Sequence, residues 1–390
     1  MNKELISSLY RRLSWRAGVS AGLLGVACLS SPAMAGAKVE LDETRWLSVG
    51  AGLRAQYQSI EDGAPSGDDR SNDFAVANMR LYMTGQVHEY IKFTFNTDKV
   101  SDEEMIVLDA IAQFEMSPAF NVWVGRMLTP ADRIEMNGPF YALSWNQYTV
   151  PLYPSDQGGN VAGRYGRDDG VTVWGTLGKF QYAIGAFDGI NGYSNQEDNL
   201  LFAGRFAFNF LNMEANPGYY TSSTYYGGLG NILTAAVSFQ TQSDGTGSEG
   251  EAGDFSGYTV DVLSETVFGS NVLTLEGEYK DFDADYTLAT PPAEATGDCF
   301  CLFDGTSYFA TAAFMFGAEV GPGKFQPYVR YVENDPSDAD TTDSTEIGLN
   351  YVISGHNARV NLNYIDGDAN ISGYGGPDVN ALTLGFQIQL

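Results

Sequence analysis

Arg133, Arg164 and Arg167 stand among Asp132, Glu135, Asp156, Asp168 and Asp169 in the segment 128–169, together with Tyr141, Trp145, Tyr148 and Tyr153. Guanidinium and carboxylate groups set against one another do no covalent chemistry. Placed across a narrow aqueous passage they sort solutes by size and charge, because desolvation and local field act only where water is squeezed out. The length of the segment and its aromatic residues suit a loop that folds inward, packs on a wall and narrows a pore. Arg133, Arg164, Arg167, Asp132, Glu135, Asp168 and Asp169 are then the constriction residues. The competing reading is a loop that caps the mouth of the pore from outside.

Other chemistry finds little support. Hydrolysis by a Ser-His or Asp-His pair needs a histidine at a wetted site, and the chain has only His88 and His356, both in short turns and far apart in sequence. No catalytic residue is assigned. Asp281, Asp283 and Asp285 have the rhythm of a calcium loop but lack the following Gly and the distal Glu; Asp335, Asp338, Asp340 and Asp343 are similar. They read as solvated acidic loops that share divalent cations loosely with lipopolysaccharide. Cys299 and Cys301 are too close in sequence for an unstrained bridge and have no neighbouring histidine for zinc. No metal and no cofactor are expected.

The elements that must carry a constriction are strands. Period-2 alternation recurs in segments of about ten residues down the chain. In the last one Leu382, Leu384, Phe386, Ile388 and Leu390 oppose Thr383, Gly385, Gln387 and Gln389. Ala358, Val360, Leu362 and Tyr364 repeat the pattern opposite Arg359, Asn361 and Asn363, as do Leu273, Leu275 and Tyr279 opposite Thr274, Glu276, Glu278 and Lys280. Sixteen such segments are expected. Short turns at 88–89, 117–118, 178–179, 269–271, 321–323 and 354–357 alternate with long polar loops at 61–73, 128–169, 188–199, 241–256, 282–306, 333–344 and 366–379. That is the pattern of an all-β protein, a transmembrane antiparallel β-barrel with short periplasmic turns and long extracellular loops. The stretch 211–230 breaks it, being long where a short turn is due. With the apolar face outward, Arg54, Arg80, Lys92, Arg205, Arg330, Arg359, Asp109, Glu276 and Glu278 line the lumen. So do Asp98, Glu115, Asp261, Glu265, Lys280 and Glu346. A barrel this wide cannot be filled by its own side chains, so a water-filled interior is expected.

Composition agrees. The chain has 49 Asp+Glu against 21 Lys+Arg, a formal charge of -28, with 45 Gly, 23 Tyr and 23 Phe. Such acidity excludes nucleic acid as a partner, and the aromatic content excludes acidic disorder. Lys3, Arg11, Arg12 and Arg16 precede an apolar stretch from Ala17 to Leu29 and then Pro32-Ala33-Met34-Ala35, the layout of a cleaved signal peptide over 1–35. The mature barrel then occupies 36–390. Cys28 does not make a lipoprotein site, because Gly25 stands where a branched aliphatic residue is required.

The run Phe120-Asn121-Val122-Trp123-Val124-Gly125-Arg126-Met127-Leu128-Thr129-Pro130 resembles the strand and constriction-loop entry of the phosphate-selective porin O/P-type family. Ala186-Phe187-Asp188-Gly189 with Asn191, Phe202-Ala203-Gly204-Arg205-Phe206, and Pro217-Gly218-Tyr219-Tyr220 before Tyr225-Tyr226-Gly227 are similar to that family as well. The resemblance implies a sixteen-stranded homotrimeric porin of the bacterial outer membrane, in contact with membrane lipid and lipopolysaccharide and passing small hydrophilic solutes or ions. It also makes 211–230 an enlarged periplasmic turn. The scarcity of Lys and Arg argues against anion selectivity, so a weakly cation-preferring or nonselective pore is expected. An anion- or phosphate-selective pore and a barrel that sheathes a partner protein are the alternatives.

Overall fold

The computed structural model describes residues 36–99, 104–146, 167–214, 216, 218–284, 302–369 and 373–390. Residues 1–35, Arg164, Asp156, Tyr148, Tyr153, Asp285, Cys299 and Cys301 lie outside the described residues. The strands are β1 (Ala37–Glu40), β2 (Trp46–Ile60), β3 (Asp73–His88), β4 (Ile91–Lys99), β5 (Ile106–Ser117), β6 (Phe120–Leu128), β7 (Arg167–Leu177), β8 (Phe180–Phe187) and β9 (Leu201–Asn209). They continue as β10 (Ile232–Ser248), β11 (Glu251–Phe268), β12 (Asn271–Ala284), β13 (Gly305–Met315), β14 (Lys324–Pro336), β15 (Thr342–Val352), β16 (Ala358–Gly367) and β17 (Val379–Gln389). The helix α1 (Arg133–Tyr141) lies between β6 and β7.

Sixteen strands, β2 to β17, close into one antiparallel barrel in chain order, the seam being β17 on β2 with Ala381 opposite Ile60 and Gln389 opposite Gly52. An open edge in hydrocarbon would strand a row of unpaired N–H and C=O groups, and the seam removes it. The short β1 was not expected. It pairs with the first residues of β2, and Leu390 exchanges backbone hydrogen bonds of 2.8 and 2.9 Å with Ala51 on the same edge, so β1 prolongs the line of β17.

The alternation sorts side chains as the sequence implied. On β17 Leu382, Phe386 and Ile388 are 39%, 49% and 59% exposed on the outside, whereas the inward Thr383 and Gln387 are 0% and 1% exposed. Outward aromatics gather at both rims: Tyr258, Tyr279, Tyr308 and Tyr364 toward the long connections, Phe120, Phe210, Phe268 and Phe316 toward the short turns. Such girdles belong at the two membrane interfaces. At the tight turns Gly178 and Gly269 take φ of 64° and 62°, a conformation other residues adopt only with strain.

One connection differs from expectation. Residues 241–256 are not a loop: β10 runs to Ser248 and β11 begins at Glu251, with a register shift between Gln242 and Thr246. The Gly and Ser content masked an alternation that continues beyond the hydrocarbon, where neither face need be apolar. Arg126 on β6 faces outward and pairs with Asp169 directly across on β7.

Deleting residues 381–390 removes β17's contacts with both neighbours. The expected outcome is loss of the heat-modifiable folded band in gel electrophoresis after refolding in detergent, and retention of that band would contradict a barrel sealed at β17–β2.

Candidate functional site

The inside of the barrel is occupied by the chain itself. From the end bearing the long connections, residues 129–146 enter and form α1, whose residues Arg133 to Phe140 are all buried. From the end bearing the short turns, the connection between β9 and β10 also turns inward. The two segments meet: Thr221 and Ser223 donate backbone hydrogen bonds of 3.1 Å to the carbonyls of Met136 and Tyr141, and the Thr221 hydroxyl donates to the Arg133 carbonyl at 2.7 Å. The expectation of an interior filled only by water is therefore corrected. Side chains alone do not fill so wide a ring, and two backbone segments enter it.

The start of the first segment rests on carboxylates. Asp132 caps α1 by accepting from the Glu135 N–H and pairs with Lys280 of β12 at 2.9 Å. Glu278 accepts from the Ile134 N–H at 2.8 Å. Arg133 binds both oxygens of Glu214 at 2.7 Å and reaches Asp261 of β11 at 3.2 Å, while Arg205 of β9 donates to the same aspartate at 2.9 Å. Burial alone would raise the Glu214 carboxyl, but the charge and hydrogen bonds of Arg133 outweigh it and hold it at about 2.

The end of the segment rests on guanidinium groups. Arg359 of β16 donates to the carbonyls of Ala142 and Leu143 at 2.7 and 3.1 Å, and Arg330 of β14 to that of Asn146 at 2.8 Å and to the Ser144 hydroxyl at 2.9 Å. Arg54 of β2 donates to the Trp145 carbonyl and stacks 4.0 Å from the centre of its ring. Trp145 is 1% exposed, its Nε1 donates to Gln56 at 2.7 Å, and it lies where a side chain on Gly385 would stand, 2.5 Å from that missing Cβ. Arg359, Gln387, Arg54 and Asn78 share one cross-strand row. Among the described residues neither Arg54 nor Arg359 has an ion-pair partner.

Charges are thus sorted around the wall. Arg54, Arg80 and Arg359 occupy the arc from β16 to β3, answered there by Asp98, which pairs with Arg80 at 3.0 Å. Asp261, Glu265, Glu276 and Glu278 occupy β11 and β12. Lys92 stands apart from the basic arc, paired with Glu115. Asp109 holds Arg167 at 3.0 Å.

Three of the constriction residues read from the sequence lie on β7 rather than in the loop, because Arg167, Asp168 and Asp169 pair in register with Leu128, Met127 and Arg126. Asp168 is buried and accepts from the Gly189 N–H at 2.6 Å, tying down the connection after β8. Asp169 has the parity of the outward Val171, and its side chain is 58% exposed, so it is removed from the constriction. Asp132, Arg133 and Glu135 are buried inside the barrel. Asp281, Asp283, Asp335 and Asp343 sit on strand ends, and no group of metal-ligating side chains is found among the described residues.

Sequence reasoning missed Glu214, Ser222, Thr224 and the role of His356. The only hint was the length of 211–230. His356 is no ordinary turn residue: its Nε2 lies 3.1 Å from the Ser222 hydroxyl and 2.9 Å from the Thr224 carbonyl, and its ring packs on Tyr141 and Tyr226 at 5.1 and 4.9 Å. Its Nδ1 has no partner among the described residues, so no carboxylate orients it as in a hydrolytic triad. Burial, with Arg359 adding repulsion, lowers it to about 3 and keeps it neutral.

A family model for "phosphate-selective porin O and P" matches residues 47–390. No curated protein matches. Among solved structures, Pseudomonas putida OprB at high pH superposes with a TM-score of 0.58 at 11% identity, over 88% of this chain and 93% of that one. Salmonella typhi OmpF in complex with daunomycin gives 0.55 at 12%, over 91% and 100%. In-vitro folded Vibrio cholerae OmpT in its trimer form gives 0.52 at 13%, over 89% and 100%. At such identities these likenesses speak for the barrel fold alone, whereas the family match spans nearly all of the ring: the chain belongs to the phosphate-selective porin O and P family and is an outer-membrane channel.

Proposed function

We propose that the channel passes small hydrophilic solutes and ions by passive diffusion and is weakly cation-preferring or nonselective. It acts as a homotrimer after removal of residues 1–35. The observation that carries this reading is the pair of inward segments held between a basic and an acidic arc. A solute must pass between them, so its size and charge are read at one level. Among the described residues, buried carboxylates outnumber buried guanidinium and ammonium groups, and the excess of acid in the chain as a whole attracts cations to its surface at low salt. Two inward segments of the chain occupy part of the lumen that a threaded partner would need, which favours the channel reading over the sheath. The trimer form of the Vibrio cholerae OmpT neighbour supports the oligomeric state. The non-enzymatic reading is supported by the family and by His356, whose Nδ1 meets no carboxylate among the described residues.

A second reading, anion selectivity, is favoured by Arg54 and Arg359, neither of which forms an ion pair among the described residues. Reversal potentials in a salt gradient across planar bilayers separate the two. The expected result is a small cation preference that shrinks as salt rises and screening shortens; strong anion preference at moderate salt would overturn the first reading in favour of the second.

Arg133→Ala leaves Glu214 and Asp261 buried with a partner missing. Breaking a buried ion pair costs about 3–5 kcal/mol, so the thermal transition should fall and the single-channel conductance should rise as the two segments part.

His356 carries the pH dependence in the opposite sense to a paired histidine. Unfolded, it takes a proton near 6.5; folded, only near 3. Its contribution to stability is complete above 6.5 and is lost as pH falls toward 3. Melting curves of the wild type and His356→Asn between pH 7 and pH 4 should diverge, the variant losing less stability on acidification.

A further inference from the structure

The inward face of the barrel is not sealed evenly. On β12 to β17 its charged and amide side chains, among them Glu276, Lys280, Arg330, Arg359 and Gln387, are buried. On β3 and β4 the pattern changes. Tyr82, Thr84 and Gln86 stand across the ladder from Asn96, Thr94 and Lys92, and all six are only half-buried. They form a strip two strands wide, which begins where Tyr82 meets Phe140 of α1 edge-on at 6.4 Å and ends at the short turn between the two strands.

The charges on this strip are those of Lys92 and its partner Glu115 of β5, whose side chains are 29% and 20% exposed. In the other ion pairs of the interior among the described residues, such as Arg80 with Asp98, Arg133 with Glu214 and Lys280 with Asp132, no side chain exceeds 9%. Those pairs hold the wall and the inward segments together, whereas Lys92 and Glu115 meet water. Trp123 Nε1 donates to Glu115 at 3.3 Å, and the Trp123 ring packs on Tyr219 and Tyr220 at 5.3 and 5.9 Å, which sets the pair against the flank of the inward connection between β9 and β10.

We propose that this strip is the short-turn half of the solute path and that Lys92 and Glu115 are the residues that read the charge of a passing ion there. The ammonium draws an anion and the carboxylate a cation, each approached to contact distance in water. While paired they largely cancel, in keeping with a pore of weak or no preference. The assignment rests on the channel reading and names the residues at which its selectivity is set.

The test is the reversal potential in a salt gradient across planar bilayers for the wild type, Lys92→Gln, Glu115→Gln and Glu89→Gln. A solvated ion pair contributes little to stability, so the first two variants should keep the barrel. Removing the ammonium leaves a bare carboxylate and should raise the cation-to-anion permeability ratio about three- to fivefold, the factor that one unit charge exerts through water on an ion about 4–6 Å away. Removing the carboxylate should lower the ratio by a like factor. Glu89, exposed in the turn before β4, lies off the strip, and its replacement should leave the ratio unchanged. Opposite shifts in Lys92→Gln and Glu115→Gln support the assignment. Any other pattern in a conducting pore, including a shift as large in Glu89→Gln, overturns it and leaves the channel reading intact. Absence of conductance in the wild type overturns the channel reading, and the assignment falls with it. Should either variant lack the heat-modifiable folded band, Thr94→Cys decides: a charged methanethiosulfonate that cuts its conductance while sparing the wild type supports the strip as the path, and no effect removes it.

Discussion

Everything in this protein follows from the need to leave no backbone N–H or C=O unpaired in hydrocarbon. The ladder between β17 and β2 meets that need by abolishing the edge of the sheet. Closure at sixteen strands then creates a second problem, because the inward face is polar and encloses more space than its side chains can fill. The chain answers by sending its own backbone inside. A polar wall can be covered by backbone at little cost provided each carbonyl and N–H finds a group of the right kind.

The segregation of charge around the wall makes sense in those terms. The peptide strap formed by 129–146 begins with N–H groups that need acceptors, and these are met by Asp132 and by Glu278 of the acidic arc. It ends with a run of carbonyls that need donors, and these are met by Arg359, Arg54 and Arg330. Arginine suits the second task because its planar fork spans neighbouring carbonyls and stays charged when buried. The two arcs therefore fix the direction and register of the strap between them.

The barrel was legible in the sequence because strand period, turn chemistry and girdle aromatics are local signals, and sixteen strands with their short turns were read from them. Arg54, Arg80, Arg205, Arg330, Arg359, Asp109, Glu276 and Glu278, which the alternation assigns to the polar face of their strands, are all buried. What the sequence did not disclose depends on long-range pairing. Arg133 meets Glu214 and Asp261 across separations of 81 and 128 residues, and no periodicity marks such contacts. The entry of 211–230 into the lumen was hidden for the same reason, its Ser, Thr and Tyr residues looking like any exposed turn. Asp169 was misplaced because the polar start of β7 carries no apolar partner to reveal its parity.

The meeting of the two inward segments also bears on how the barrel is held together. α1 hangs from β6 and β7, the opposing segment from β9 and β10, and each is held by walls contributed from β11 to β17. The segments therefore brace the ring from within, joining the strands that carry them to walls on the far side, among them β16 and β17 beside the seam.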